Sequence, residues 1–191
     1  LTAHHDGPVI AAGSTGSMPA TAKFLQAIAK LKHGAVVLPG LDTDLDEDAW
    51  QSVGGAPDSV TTPLSSHPQY AMHQLLTKYF GIERRDVKPL IEPAPHGREI
   101  LASETMRPAT ATAQWHVRLE EPEIAKRIAS GVNNLSVVEA ANPEMEALSI
   151  AVAMRDARER NVSAALVTPD RALARRVMAA LGRWNLTFDD S

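Results

Sequence analysis

The predicted fold is decided by residues 135–189, which open with Leu135-Ser-Val-Val-Glu-Ala-Ala141 followed by Asn142-Pro-Glu144. The first run is rich in β-branched residues and therefore predicts a strand. Asn142 can cap a helix, and Pro143 suits a first helical turn because its missing N–H would have no intrahelical partner there. The apolar face of the helix is made of Ala147, Ile150, Ala151, Met154 and Ala157, widened by Leu148 and Val152.

The same arrangement then occurs a second time. Ser163-Ala-Ala-Leu-Val-Thr168 is apolar nearly throughout, as a strand buried on both faces should be. Thr168-Pro-Asp170 repeats cap, proline and acid, with Thr168 as the expected helix cap, and Leu186-Thr-Phe188 begins a third strand. The second helix has an apolar face made of Leu173, Val177, Ala180, Leu181 and Trp184. Two such units in series predict parallel strands with right-handed crossovers, and a functional edge at Ala141-Asn142 and Thr168–Asp170.

The chain also opens with a strand–helix–strand unit. Strands are expected over Pro8–Ala12 and Ala35–Leu38, with a helix from about Met18 to Lys32 between them. The apolar residues expected to pack together from this helix are Phe24, Leu25, Ile28 and Leu31. Further helices are predicted over residues 46–53, 68–80, from 98 to 103 or beyond, and 122–130, and a short strand or edge over 86–91.

The amino-acid sequences of several segments are similar to those of a known family. Glu144-Met-Glu-Ala147 and Leu166-Val-Thr-Pro-Asp-Arg-Ala-Leu-Ala-Arg-Arg-Val177 resemble the second RecA-like domain of UvrD/Rep-type superfamily 1 helicases. The resemblance is closer still to the alphaproteobacterial type of the AddB family, the partner subunits of AddAB helicase–nucleases. It extends through Ala11-Ala-Gly-Ser-Thr-Gly-Ser17 and His67-Pro-Gln-Tyr70, and so covers most of the chain in patches.

This resemblance implies an α/β fold of three-layer, parallel-sheet, RecA-like (P-loop NTPase-like) domains. Residues 1–116 would be the C-terminal part of a first helicase-like (1A-type) domain, 117–134 a linker, and 135–191 the start of a second (2A-type) domain. The chain starts without methionine, which suggests a fragment whose nuclease domain lies elsewhere. The kinship requires parallel strands beneath the two C-terminal helices; two helices packed together without a sheet would contradict it.

The implied function is a non-catalytic one in double-strand-break repair. The chain would scaffold and guide single-stranded DNA during end resection for recombination, with an AddA-like helicase–nuclease subunit and single-stranded or end DNA as partners. The chain itself would have no complete active site and no cofactor, while ATP and Mg²⁺ belong to the parent complex.

Composition limits the alternatives. With 44% hydrophobic and only 4% aromatic residues, the core is expected to be aliphatic. The absence of cysteine excludes disulfides, thiolate zinc sites and cysteine-ligated iron–sulfur clusters, and it fits a cytoplasmic protein. No apolar run approaches the roughly 20 residues that span a bilayer. The net charge of −4 argues against strong DNA binding by the isolated chain.

The glycine turn Gly13-Ser-Thr-Gly-Ser17 is the strongest candidate for a binding site. Backbone N–H groups in such a turn can hold a phosphate, but the Lys-Ser/Thr pair of a Walker A loop is missing. The expected DNA contacts are Ser14, Thr15 and Ser17 here, and Thr168 and Arg171 on the second domain. A plain structural turn is the alternative for the glycine turn.

Other charged groups have weaker patterns. The acidic run 42–48 lacks the glycine and glutamate of a calcium loop, because Glu47 and Val53 hold those positions, so a solvated face is favoured. The histidines show no metal-ligand spacing, and His67 is expected at a helix entry; the seven are His4, His5, His33, His67, His73, His96 and His116.

The arginines leave two interpretations open. By the resemblance, Arg107 is a relic of an arginine that senses a nucleotide's terminal phosphate between two domains; an ordinary surface or interdomain arginine is the alternative. The densest basic cluster contacts DNA phosphates or pairs with Glu144, Glu146 or Asp170, and comprises Arg171, Arg175, Arg176 and Arg183.

Two rival functions remain. One is a Rossmann-type nucleotide-binding enzyme that uses Gly13, Gly16 and Asp42, although Met18-Pro19 and the late position of Asp42 fit its fingerprint poorly. The other is a protein–protein interaction module whose sheet edges dock a partner.

Overall fold

The computed structural model describes residues 7–55, 62–91 and 97–189, and the chain divides into two compact units between Leu135 and Ser136. His4, His5 and His96 lie outside the described residues. We call the part up to Leu135 unit 1 and the part from Ser136 unit 2. The fold class is mixed α/β.

Unit 1 opens with the predicted strand–helix–strand arrangement. Strand β1 (Val9–Ala12) runs parallel to β2 (Gly34–Val37), with Val9 opposite Gly34 and Ala12 opposite Val37. Helix α1 (Pro19–Ala29) forms the crossover, with proline in its first turn. These two strands are the paired strands of the described ranges. The three-layer RecA-like sheet therefore stays a prediction.

The apolar face of α1 is narrower than expected. Ala22, Leu25 and Ile28 are buried, and the first two pack with Leu75 in one core cluster. Phe24, predicted to join them, is 48% exposed, because it lies about 100° around the helix from Leu25 and away from the buried stripe.

The other helices of unit 1 are α2 (Glu47–Gly54), α3 (Tyr70–Gln74), α4 (Arg98–Thr105), α5 (Trp115–Glu120) and α6 (Pro122–Gly131). A second core cluster of unit 1 contains Leu45, Trp50, Val53, Met72 and Leu76, which come from α2, α3 and the segments next to them. Most helices of unit 1 match the prediction, but α5 was not predicted. The strand expected over residues 86–91 is wrong. A 3₁₀ turn covers Arg84–Asp86 instead, and Pro89 has no N–H with which to bond a neighbouring strand. A π-helical turn, Leu75–Phe80, continues α3 and ends at Gly81, and a 3₁₀ turn at Ala109–Gln114 precedes α5.

The stretch 117–134, expected to be a linker, is largely helical and belongs to unit 1. Helix α6 packs on α4 so closely that a Cβ on Gly131 would lie 2.5 Å from the carbonyl oxygen of Gly97. Gly97 itself has a positive φ of 70° and precedes α4. Glycine at both positions therefore permits the contact between the two helices.

Unit 2 consists of the two predicted helices packed on each other, α7 (Pro143–Glu159) and α8 (Arg171–Gly182). Asn142 caps α7 as predicted, since its Oδ1 accepts a 2.9 Å bond from the N–H of Met145. The core is made of Ala147, Ala151, Leu173, Val177, Ala180 and Leu181, with Ile150, Met154 and Trp184 partly buried against it, while Leu148 and Val152 are exposed and do not widen it.

The cap of α8 differs from the prediction. Asp170, not Thr168, is the N-cap: its Oδ1 accepts bonds from Ala172 N at 2.7 Å and Leu173 N at 3.2 Å. The hydroxyl of Thr168 accepts a 3.0 Å bond from the N–H of Asp170. The helix therefore starts two residues later than a Thr168 cap would place it, at Arg171, because the aspartate reaches two free N–H groups.

The strands predicted at 135–141, 163–168 and 186–188 are wrong as paired strands. Within residues 136–189 these segments make no ladder bonds, and Val137 and Val167 are 88% and 92% exposed. Leu166 and Leu186 instead rest against the helix pair. Their β-branched composition favours extended backbone, but a strand also needs a neighbouring strand to bond with.

Candidate nucleic-acid interface

The glycine turn Gly13–Ser17 lies where β1 ends, at the carboxyl edge of the parallel pair. Gly13 has φ 81° and donates its N–H to the carbonyl of Val37 at 3.2 Å, so the turn leaves the sheet beside the end of β2. Gly16 has φ 63°, and its N–H donates to the hydroxyl of Ser14 at 3.3 Å. Two left-handed glycines and one side-chain bond therefore set the course of the turn.

Gly16 is also the point where the turn touches the rest of unit 1. It is buried, and a Cβ built on it would lie 2.9 Å from Cδ1 of Leu75. Leu75 is fully buried and begins the π-helical turn after α3. The glycine thus brings the turn against α3.

The three predicted DNA-contact residues of the turn differ in exposure. Thr15 and Ser17 are exposed, whereas Ser14 is half-buried and its hydroxyl accepts the bond from Gly16. Two of the three hydroxyls are therefore free to meet a ligand, and Ser14 shapes the turn.

A groove of about 400 Å³ lies between this turn and α3, and we call it the α3 groove. Its walls contain one lysine and no carboxylate among the described residues. The lining residues are Gly16, Ser17, Ser65, His67, Pro68, Tyr70, Ala71, Gln74, Lys78 and Tyr79.

His67 fixes the entrance to α3, as predicted. Its Nδ1 accepts the N–H of Gln69 at 3.1 Å, and its Nε2 lies 2.7 Å from the carbonyl oxygen of Met106. The side chain of Gln69 then joins two backbone groups beyond β2, donating to Gly40 O at 2.9 Å and accepting from Asp42 N at 3.1 Å. These bonds hold the wall of the α3 groove to the segment that follows the sheet.

Gln74 and Lys78 of this wall are not among the site residues predicted from the sequence. Tyr70, Gln74 and Lys78 are spaced i, i+4 and i+8, which places them on one face of a helix. All three line the α3 groove. This spacing is the signal in the sequence that marks the groove.

The acidic run 42–48 is not the solvated face that was expected. Asp42 Oδ1 accepts bonds from the N–H groups of Asp44 and Leu45 at 3.0 and 2.9 Å. Asp46 caps α2 through Ala49 N at 3.0 Å. Glu47 and Asp48 are exposed, but the aspartates before them are half-buried. Their carboxylates are used within the fold.

Arginines from later in the chain neutralise this acidic run. Arg127 pairs with Asp44 at 2.9 Å, and Arg84 pairs with Glu47 at 3.3 Å while its guanidinium lies 4.9 Å from the Trp50 ring centre. The acidic run, which was expected to face solvent, therefore forms ion pairs with distant arginines of unit 1.

Arg107 is the most buried of these arginines, with its side chain 0% exposed. It donates to Asp46, to Gln114 Oε1 at 2.7 Å and to Ala111 O at 2.9 Å, and it lies 3.6 Å from a carboxylate oxygen of Glu104. The surface position offered as an alternative for Arg107 is wrong. Its nucleotide-sensing role stays a prediction, and the bonds within unit 1 already occupy much of its guanidinium.

Burial lowers the pKa of Arg107, the nearby charge of Arg118 lowers it further, and Asp42 opposes both. An arginine remains protonated despite such a lowering of its pKa, because the guanidinium does not lose its proton in proteins. Glu104, itself buried, bonds to Arg118 Nε at 2.5 Å. Asp46, Arg107, Glu104 and Arg118 form an ion network that links the acidic run to α4 and α5.

The candidate residues of unit 2 are treated separately. Thr168 is half-buried and Arg171 is exposed at the start of α8. Arg176 Nε donates to Glu144 at 2.9 Å, which is one of the two arrangements predicted for the basic cluster. Arg171 and Arg175 are exposed and remain candidates for contact with an anion.

Comparisons with models of protein families, with curated proteins and with solved structures give no match to this chain. In the described ranges, no helix combines the length and the apolar character needed to cross a bilayer. No three histidine, aspartate or glutamate side chains gather as a metal site would require in that part of the chain.

Proposed function

We propose that this chain is a non-catalytic, helicase-like region of a double-strand-break repair subunit of the AddB type. It scaffolds and guides single-stranded DNA during end resection, beside an AddA-like subunit in the cytoplasm. ATP and Mg²⁺ are used by the parent complex. The resemblance of Ala11–Ser17, His67–Tyr70 and Leu166–Val177 to that family supports the proposal.

The observation that most supports it is the position of the glycine turn. Thr15 and Ser17 are exposed at the carboxyl edge of a parallel strand pair, where α/β folds bind ligands. Ser17 also lines the α3 groove together with Lys78. Hydroxyls, backbone N–H groups and a lysine are the donors that contact phosphates without reading sequence. Such contacts suit a guide for DNA of any sequence.

The charge of the chain fits a guide better than a tight binder. A net charge of −4 repels the DNA backbone, so the groove alone binds weakly. We propose that the AddA-like subunit supplies most of the affinity and that this chain directs the strand.

Unit 2 counts against the kinship, because α7 and α8 pack together without paired strands in residues 136–189. The proposal therefore rests on unit 1, in which the motifs Ala11–Ser17 and His67–Tyr70 lie. In this proposal, Thr168 and Arg171 are secondary contacts for the single-stranded DNA.

The Rossmann alternative is less well supported. Its acidic residue must be free to bond a ribose hydroxyl, and Asp42 Oδ1 already accepts two backbone N–H groups. Its backbone carbonyl also accepts a 3.0 Å bond from Arg84.

The test is a binding titration of the 191-residue chain with a fluorescein-labelled oligothymidine at about 50 mM salt, a concentration at which phosphate contacts are strong. The double variant Thr15→Ala/Ser17→Ala should weaken binding, because two phosphate donors are lost. Thr43→Ala/Thr110→Ala is the matched control, since both hydroxyls are exposed in unit 1 and neither lines the groove. Equal affinity of both double variants would contradict the proposed role of the turn.

A further inference from the structure

We infer that the α3 groove holds one nucleotide unit, with a base stacked on a tyrosine ring and a phosphate beside Lys78. This inference rests on the proposed function and assigns the ligand chemistry of the same site. It adds Tyr70 and Gln74 of α3 to the site, and it assigns a phosphate contact to Lys78 on the π-helical turn that follows α3.

The two tyrosines of the groove are anchored from behind. Tyr70 packs partly against the core cluster around Trp50, and Tyr79 packs partly against the cluster around Leu75. Both are half-buried, and both line the groove. A ring that is already held in place loses little conformational entropy when a base stacks on it. Stacking on aromatic rings is also tolerant of sequence, as a guide requires.

The charge of the groove favours an anion. Lys78 is exposed, and no carboxylate lies within ion-pair distance of it in the described part of the chain. Its ammonium lies 5.9 Å from the centre of the Tyr79 ring, so charge and ring belong to one surface. A stacked base and its own phosphate therefore find an aromatic ring and a cation side by side.

The remaining lining and the size fit the same ligand. Gln74 and Ser17 add an amide and a hydroxyl to the wall, which can bond to a base edge or a phosphate oxygen. The volume of about 400 Å³ is within the range of about 300–1,000 Å³ for small-ligand sites. A nucleotide within single-stranded DNA and a free mononucleotide offer the same chemistry to the groove. We assign the groove to a nucleotide of single-stranded DNA.

The experiment measures binding of the whole chain to a labelled 12-mer of thymidine and, in a second arm, to thymidine monophosphate. Tyr70→Leu should weaken oligonucleotide binding about 5- to 150-fold, the effect of losing one stacked base. Tyr70→Phe keeps the ring and should bind like the parent. Thymidine monophosphate should compete only at far higher concentration than the 12-mer.

Lys78→Gln provides an independent measurement. It should reduce the magnitude of the slope of log K against log salt by about 0.7, the value for one phosphate contact on a single strand. Lys88→Gln is the charge-matched control, because Lys88 is exposed in unit 1 and does not line the groove. Since Lys78 is exposed, its replacement tests the site even if Tyr70→Leu lowers the stability of the fold, which thermal unfolding would report.

The outcomes separate the two proposals. Oligonucleotide binding that is unchanged in Lys78→Gln and in folded Tyr70→Leu would overturn the groove assignment and leave the proposed function intact. No oligonucleotide binding by the parent chain would overturn both. Monophosphate binding without oligonucleotide binding would also overturn both, in favour of a nucleotide site.

Discussion

Arg107 and Asp46 are bonded to each other although 61 positions separate them in the chain. The bond joins the N-cap of α2 to the residue that follows the C-cap of α4, and the side chain of Arg107 has no exposed surface. Glu104 extends the contact to Arg118. The acidic run 42–48 is thereby tied to the helices that follow residue 97.

Arg107→Met should therefore lower the free energy of unfolding by about 3 kcal/mol, because carboxylates of the buried network would lose their partner. Urea denaturation measures the change. Arg85→Met is the control, since the pair of Arg85 with Glu83 is exposed on both sides and its loss should cost less than about 0.5 kcal/mol. Similar losses in the two variants would show that Arg107 contributes no more than a surface arginine.

Gly54→Ala should destabilise the fold by about 1–3 kcal/mol through overpacking. A Cβ on Gly54 would lie 2.0 Å from Cε1 of His73, and this ring cannot retreat freely because it packs on Trp50 with ring centres 5.0 Å apart. Gly182→Ala is the matched control: it lies at the end of α8 with no atom within 4 Å of a built Cβ, so it should be neutral or slightly stabilising.

The Gly54 prediction has a second check by thermal or urea unfolding of a double variant. If the clash is the cause, His73→Ala should remove most of the additional cost of Gly54→Ala, giving a large interaction free energy in a double-mutant cycle. Additive losses would indicate another cause.

His73 should make stability depend on pH. Burial lowers its pKa below the ordinary 6.5, with Glu47 opposing, and neither ring nitrogen has a hydrogen-bond partner among the described residues. The unfolded chain therefore binds the proton more readily, so the stabilising contribution is complete above pH 6.5 and declines as pH falls below it. Urea unfolding between about pH 5 and 8 should show this decline, and His73→Phe should reduce it.

His116→Gln is the control for that measurement, because His116 is exposed. The decline should persist in this variant. A pH dependence that is the same in His73→Phe and in the parent would contradict the assignment to His73.

Asp170→Ala should cost about 1 kcal/mol in unit 2, since the carboxylate caps two N–H groups of α8. Thr168→Val should cost less, because it removes one bond to the N–H of Asp170 and no helix cap. Amide hydrogen exchange at Ala172 and Leu173 measures the difference. Faster exchange in Thr168→Val than in Asp170→Ala would restore Thr168 as the cap.

Local patterns in the sequence predicted much of the fold. The parallel pair β1 and β2, the crossover α1, and the helices α7 and α8 follow from apolar spacing and from signals at helix ends such as Asn142-Pro143. These signals lie within one turn of the residues that they govern. They therefore predict a helix or strand but not the segments against which it packs.

Features that depend on distant partners were not predicted. The apolar run 163–168 has the composition of a strand, but pairing depends on another segment, and none bonds to it within residues 136–189. The acidic run containing Asp46 was expected to be a solvated face, and Arg107 was interpreted as a nucleotide sensor or as a surface or interdomain arginine, because the sequence does not reveal the contact between them. The α3 groove was missed for the same reason: Ser17 and Lys78 become neighbours only through the approach of Gly16 to Leu75.

The most direct measurement of the central claim is fluorescence anisotropy of the whole chain with matched single-stranded and duplex DNA at near-physiological salt. The account predicts saturable, weak binding of the single strand, with a Kd of about 10⁻⁴ to 10⁻⁶ M, and weaker binding of the duplex. Tighter binding of the duplex, or no binding of the single strand at millimolar chain concentration, would contradict it.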